Sequence, residues 1–164
     1  MKEAYIHGLP VRQAAKEAHI QFIVNDRCDL ALALEADGVH LGQDDLPLDL
    51  ARSLMGPEAI IGISTHGPQQ VDEATRGGAD YLGFGPIFPT ATKVDHEPVV
   101  GIDGLRQARA RTDLPIFAIG GITSDVIPSL VAAGADGVAV ASGILNAKDV
   151  KTTLHRFLRC LSTS

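Results

Sequence analysis

An Ala-Asp dipeptide recurs three times in the chain, each time as the entrance to a short apolar run. The runs are ADGVHLG (36–42), ADYLGFG (79–85) and ADGVAVA (135–141). Each follows a stretch with helical spacing, and QFIVND (21–26), AIIGIS (59–64) and PIFAIGG (115–121) precede the three runs in turn. Six strands are expected, beginning near 21, 37, 59, 80, 115 and 137, at a pitch of roughly 23 residues. The runs are near-continuously apolar rather than alternating, the pattern of parallel strands covered on both faces.

The intervening segments 28–35, 47–54, 67–76, 102–111, 124–133 and 147–161 carry helical spacing. In the last, Val150, Leu154, Phe157, Leu158 and Leu161 fall on one face. Strands alternating with helices define an α/β fold, either an open doubly wound sheet or a (β/α)8 TIM barrel. The regular pitch and the apolar residues in every strand favour the barrel. A barrel has eight parallel strands and six are visible, with 2–18 reading as a helix. The expectation is a single incomplete TIM-barrel domain over 1–164, with 1–20 the end of a helix preceding the third barrel strand. The two absent βα units would amount to about 46 residues, and their absence would leave two strand edges unpaired.

Composition narrows the function classes. A chain of 164 residues fits one domain, and 45% apolar residues suffice for a core, so general disorder is excluded. Lys and Arg total 14 against 20 Asp and Glu, a formal charge of −6, which lacks the basic surplus of a nucleic-acid binder. Cys28 and Cys160 form no CxxC and read as reduced thiols. No apolar stretch has the length of a membrane span, and the charged opening MKEAYIHGLPVRQAAKEAH has no secretory apolar core. A soluble, cytoplasmic protein is expected.

In α/β folds the chemistry sits at the C-terminal strand ends. Asn25-Asp26-Arg27 follow the first expected strand and Gly42-Gln43-Asp44-Asp45 the second. Asp26 and Asp45 on neighbouring loops suit Mg²⁺ completed by substrate phosphate, and they equally suit capping of the helices that follow. Ser64 either donates to a phosphate or caps the helix after it. His40 lies within a strand and reads as a hydrogen-bonded histidine. His7, His19, His96 and His155 have no metal-ligand spacing. The stretch GPIFPTATK (85–93) opens a long loop in which Thr90, Thr92 and Lys93 form an anion-binding combination behind two prolines. Gly120-Gly121 and Ser142-Gly143 follow the last two strands. In barrels the corresponding loops often bind phosphate through backbone N–H groups.

The ordered set VNDRCDLALALEADGVHLGQDDLP, IIGIST-H, GADYLGFGPIFPTATK, AIGGI and GADGVAVAS resembles the thiamine phosphate synthase family, from about residue 11 to the C-terminal helix. The resemblance implies a (β/α)8 barrel that joins 4-amino-2-methyl-5-hydroxymethylpyrimidine diphosphate to a thiazole phosphate, forming thiamine phosphate and pyrophosphate. It implies Mg²⁺ on Asp26 and Asp45, and pyrimidine-diphosphate contacts from Asn25, Ser64 and Lys93, with Ser64 and Lys93 catalytic. Thr90, Ala91, Thr92, Gly121, Ala141 and Ser142 are implied in thiazole-phosphate binding, and a homodimer is the family-level expectation. The family's Gln-x-Arg-x-Lys segment has no counterpart before residue 21, and loss of those cationic contacts is expected to slow catalysis by several orders of magnitude. Two alternatives stand beside the synthase: an inactive or binding-only fragment that keeps the thiazole-phosphate site, and the related thiazole tautomerase.

Overall fold

The structure, a computed structural model, describes residues 1–90 and 97–162. All six expected strands form: β1 (Ile23–Asn25), β2 (Gly38–Leu41), β3 (Ile60–Thr65), β4 (Tyr81–Phe84), β5 (Ile116–Ile119) and β6 (Gly137–Ala139). The pairings within each unit are parallel, and the strand order is that of the chain, β1-β2-β3-β4-β5-β6. The helices are α1 (Lys2–Glu17), α2 (Cys28–Ala33), α3 (Leu48–Met55), α4 (Pro68–Gly77), α5 (Gly101–Arg109), α6 (Ile127–Ala132), α7 (Ser142–Leu145) and α8 (Val150–Ser162). The chain folds as two compact units, Met1–Ser64 with Gly77–Asp80, and Thr65–Arg76 with Tyr81–Ser164.

In the first unit Val24, Val39, Leu41 and Ile61 are buried on the strands, against Ala31 and Leu34 near α2 and Ala51 of α3. These side chains are small to medium aliphatics, which lets helices lie close to the strands. Helix α1 runs through Gly8 and Pro10 without ending. At Gly8 the fit is tight, since a Cβ there would lie 2.5 Å from Leu34 Cδ1. Arg12 then donates to the Leu34 carbonyl at 3.1 Å and pairs with Glu35.

The Ala-Asp repeat has a physical origin visible in both units. Asp37 Oδ2 accepts the Phe22 N–H at 2.7 Å, and Asp80 Oδ2 accepts that of Ile61 at 2.7 Å. Asp136 Oδ2 accepts that of Ile116 at 2.8 Å. In each case the aspartate's own N–H returns to the carbonyl of the same partner, at 2.9 Å. The aspartate opening one strand thus closes the start of the strand before it. Arg52 pairs with Asp80 at 2.6 Å and Arg109 with Asp136 at 2.9 Å, and each guanidinium also donates to nearby loop carbonyls. The preceding alanines, Ala79 and Ala135, are buried.

In the second unit the core is Leu82, Phe84, Ile116 and Ala118 on the strands, with Leu105, Ile127, Leu130 and Phe157 on the helices. The segment expected as one helix over 124–133 divides into a 3-10 turn (Ser124–Val126) and α6. Pro128, at the first turn of α6, has no N–H to give to a longer helix. The four residues of α7 are too short to leave a periodic signal. On α8, Phe157 is buried, while Val150, Leu154 and Leu158 are exposed. None of the helices is long and apolar enough to cross a membrane, among the described residues.

Candidate functional site

In the first unit the C-terminal ends of β1, β2 and β3 collect the polar side chains. Asn25 closes β1 in register with His40. The next residue, Asp26, takes φ 64°, in the left-handed region that a side chain tolerates at a cost. Its N–H donates to the His40 carbonyl at 2.8 Å, and Arg27 N–H donates back to Asn25 at 2.8 Å, so the chain turns sharply at the rim. Arg27 is held by Asp29 at 2.7 and 2.6 Å. That bond raises the arginine's pKa and lowers the aspartate's, so the two stay charged as an exposed pair.

Asp45 closes the turn after β2, with its Oδ2 accepting the Gly42 N–H at 2.7 Å. Neither aspartate holds the N-cap position of the helix that follows it. The N-cap residues of α2 and α3 are Arg27 and Pro47, and neither makes a side-chain cap bond. Ser64 lies inside β3, four residues before α4 begins, so it is not a cap either.

Ser64 is instead held at both ends. His40 Nε2 and Ser64 Oγ are 2.9 Å apart, and Gln43 Nε2 donates to the Ser64 carbonyl at 2.6 Å. Burial pushes the His40 pKa down, opposed by the Asp45 carboxylate, so the ring is neutral at pH 7. The roles of His40 and Gln43 go beyond the sequence reading. The signal was the register, which places His40 opposite Gly62, two residues and one full strand repeat before Ser64.

Mg²⁺ can be tested against this donor set. Among the described residues no group of three or more His, Cys, Asp or Glu side chains is arranged to hold a metal. Asp26 and Asp45 flank His40, one through its backbone and one through its charge, and the Gly42 bond fixes the orientation of the Asp45 carboxylate. Two carboxylates fit a hard cation whose remaining ligands are water and diphosphate oxygens, not a cage made by the protein alone.

The second unit brings together the segment 85–90 and the loops after β5 and β6. Ile87 N–H donates to Ile119 at 2.8 Å and Phe88 N–H to Gly120 at 3.1 Å, laying the segment along the end of β5. Gly120 and Gly121 have φ 92° and 63°. A Cβ at Gly120 would lie 2.5 Å from Pro86 Cβ, and one at Gly121 would lie 2.5 Å from the Pro89 carbonyl. The glycine pair is therefore required by the chain's own 86–89 segment, independently of any ligand. Gly143 stands close to the Ile122 carbonyl, 3.5 Å from where its Cβ would be, so the loops carrying Gly121 and Ser142 are neighbours. Gly121, Ala141 and Ser142 are exposed and Thr90 is half-buried. Ala91, Thr92 and Lys93 lie outside the described residues.

Residues 1–144 match the family model for thiamine monophosphate synthase. The chain belongs to the thiamine monophosphate synthase family. It is 48% identical over 149 residues to the thiamine-phosphate synthase of Moorella thermoacetica, covering 91% of this chain and 71% of that one. It is 49% identical over 154 residues to that of Chloroflexus aurantiacus, covering 94% and 70%. The solved structure of thiamine phosphate pyrophosphorylase from Pyrococcus furiosus superposes with a TM-score of 0.90 at 38% identity, over 99% of this chain and 77% of that one. The fold is α/β of the TIM-barrel type, with six parallel strands in this chain.

Proposed function

We propose that the chain condenses 4-amino-2-methyl-5-hydroxymethylpyrimidine diphosphate with thiazole phosphate, releasing pyrophosphate and forming thiamine phosphate. The observation that carries the reading is Ser64, a hydroxyl fixed by His40 and Gln43 and flanked by loops bearing Asp26 and Asp45, in a chain of this family. In the reaction the bond from the pyrimidine methylene to diphosphate oxygen breaks, and the electron pair leaves with pyrophosphate. The thiazole nitrogen supplies the pair for the new C–N bond, so no oxidant, reductant or base-generated nucleophile enters.

The work of the protein is alignment and charge stabilisation on the leaving group. Asn25 and Ser64 contact the pyrimidine diphosphate, and the bonds from His40 and Gln43 hold Ser64 in place before substrate arrives. Asp26 and Asp45 would hold Mg²⁺, which when bound would supply positive charge to the leaving diphosphate. Lys93, in GPIFPTATK, is read from the sequence as a further pyrimidine-diphosphate contact that would bring an ammonium to the leaving group. Thr90, Ala91, Thr92, Gly121, Ala141 and Ser142 take the thiazole phosphate. Support for that half comes from the adjacency of the Gly121 and Ser142 loops and the 86–89 segment. A homodimer and a cytoplasmic location complete the reading at family level. The acidic balance of the chain gives no support to a nucleic-acid partner.

The test is incubation of the chain with both substrates and identification of the product by mass, with Mg²⁺ or with a chelator. Thiamine phosphate is expected only with both substrates and free Mg²⁺. A thiazole product isomerised without pyrophosphate release would replace this reading with proton-shift chemistry.

A further inference from the structure

Segment 85–90 is registered at its first residue by two consecutive residues at the end of β3. The Gly85 N–H donates to the Thr65 carbonyl at 3.2 Å, and His66 Nδ1 lies 2.5 Å from the Gly85 carbonyl oxygen. A carbonyl only accepts, so Nδ1 carries the proton in this contact. Both polar groups of Gly85 are thereby taken. Thr65 is fully buried, and its hydroxyl donates to the Gly83 carbonyl at 3.1 Å, so the approach to Gly85 is held as well. His66 is itself braced, because its N–H donates to Gln70 Oε1 at 2.6 Å from the first turn of α4. A side chain at Gly85 would strike the Ile119 carbonyl, so the segment passes β5 at a distance only glycine allows. From that anchor the segment continues along Ile119 and Gly120 to Pro89 and Thr90, and the returning chain closes on it where Val100 N–H donates to Pro86 at 2.9 Å.

We infer that His66 is a positioning residue for thiazole-phosphate binding, acting through the Gly85 carbonyl to set where Thr90 and the Pro89–Gly121 contact stand. Of the bonds that fix Gly85, the one from His66 is supplied by a side chain, so it is the one that substitution can remove. The inference rests on the proposed function for the identity of the ligand.

The test measures direct binding of thiazole phosphate by calorimetry to the wild-type chain, His66→Leu and His66→Asn. The amide of His66→Asn places an N–H close to where Nδ1 stands; leucine fills the space without a donor. We expect binding weakened about tenfold in His66→Leu, the scale of one hydrogen bond, and restored to within about threefold in His66→Asn. Equal binding by all three overturns the inference, as does equal weakening in two variants that both fold. Wild-type protein that binds no thiazole phosphate would instead overturn the proposed function. If His66→Leu does not fold, the ring tautomer in the wild-type chain decides by nitrogen NMR. A proton on Nδ1 is expected, and an Nδ1 that carries none overturns the inference.

Discussion

Asp26 shows at one residue how stability and function are weighed against each other. Its φ of 64° is a conformation in which glycine is at ease and aspartate is tolerated. If backbone geometry alone mattered, Asp26→Gly would be neutral or slightly stabilising, by less than about 1 kcal/mol. The proposed metal role makes a second claim: the same variant needs a higher Mg²⁺ concentration for half-maximal activity. Thermal unfolding and a Mg²⁺ titration of turnover separate the two, and unchanged Mg²⁺ dependence would remove Asp26 from the metal shell. His40 gives a pH signature. Burial lowers its pKa from 6.5, so the unfolded chain binds more protons than the folded one between the two values. The stability His40 contributes is present above about pH 6.5 and is lost as pH falls through that value toward the lower folded one. His40→Asn, compared with wild type by urea unfolding in chelator, should lose less stability between pH 7 and pH 5. Parallel pH profiles for the two proteins would contradict the shift.

The strand starts rest on the aspartate clamps. Asp136 ties Ile116 and pairs with Arg109, and its side chain is about half exposed. The ion pair is thus screened and contributes little by itself. The larger effect is the Ile116 N–H, which belongs to a fully buried residue and would lose its partner. Asp136→Ala is expected to cost about 1–3 kcal/mol. Arg109→Ala should cost less through the ion pair, although it also frees the loop carbonyls that Arg109 holds. Denaturant unfolding of the two variants checks the order. If the aspartate variant is as stable as wild type, the clamp is not what the repeat encodes. This element was legible in the sequence because a short-range device leaves a short-range mark: Ala-Asp before an apolar run. The division at Pro128 and the short α7 were not legible. The first turns on one missing N–H, and the second is shorter than two helical turns. Helix α1 could be read despite Gly8 and Pro10 because the flanking residues favour a helix, but the reason for Gly8, the approach of Leu34, lies in tertiary packing.

Across the whole chain, fold class and family followed from the periodic strands and from residues at their C-terminal ends, because in this architecture position along a strand determines which end a residue occupies. Asp26, Asp45 and Ser64 could be placed at one rim in this way. What lay beyond the sequence was the set of contacts between loops: His40 and Gln43 on Ser64, and the 86–89 segment over Gly120 and Gly121. Those depend on register and on close approach of backbones, which residue types alone do not encode. In the proposed reaction these parts act together, and each pyrophosphate released corresponds to one C–N bond made. The most direct measurement follows pyrophosphate and thiamine phosphate together in one Mg²⁺-containing time course, with saturating thiazole phosphate. The account predicts that the two rise in equal amounts and that neither rises in chelator. Pyrophosphate released without thiamine phosphate, or thiamine phosphate formed equally well in chelator, would contradict it.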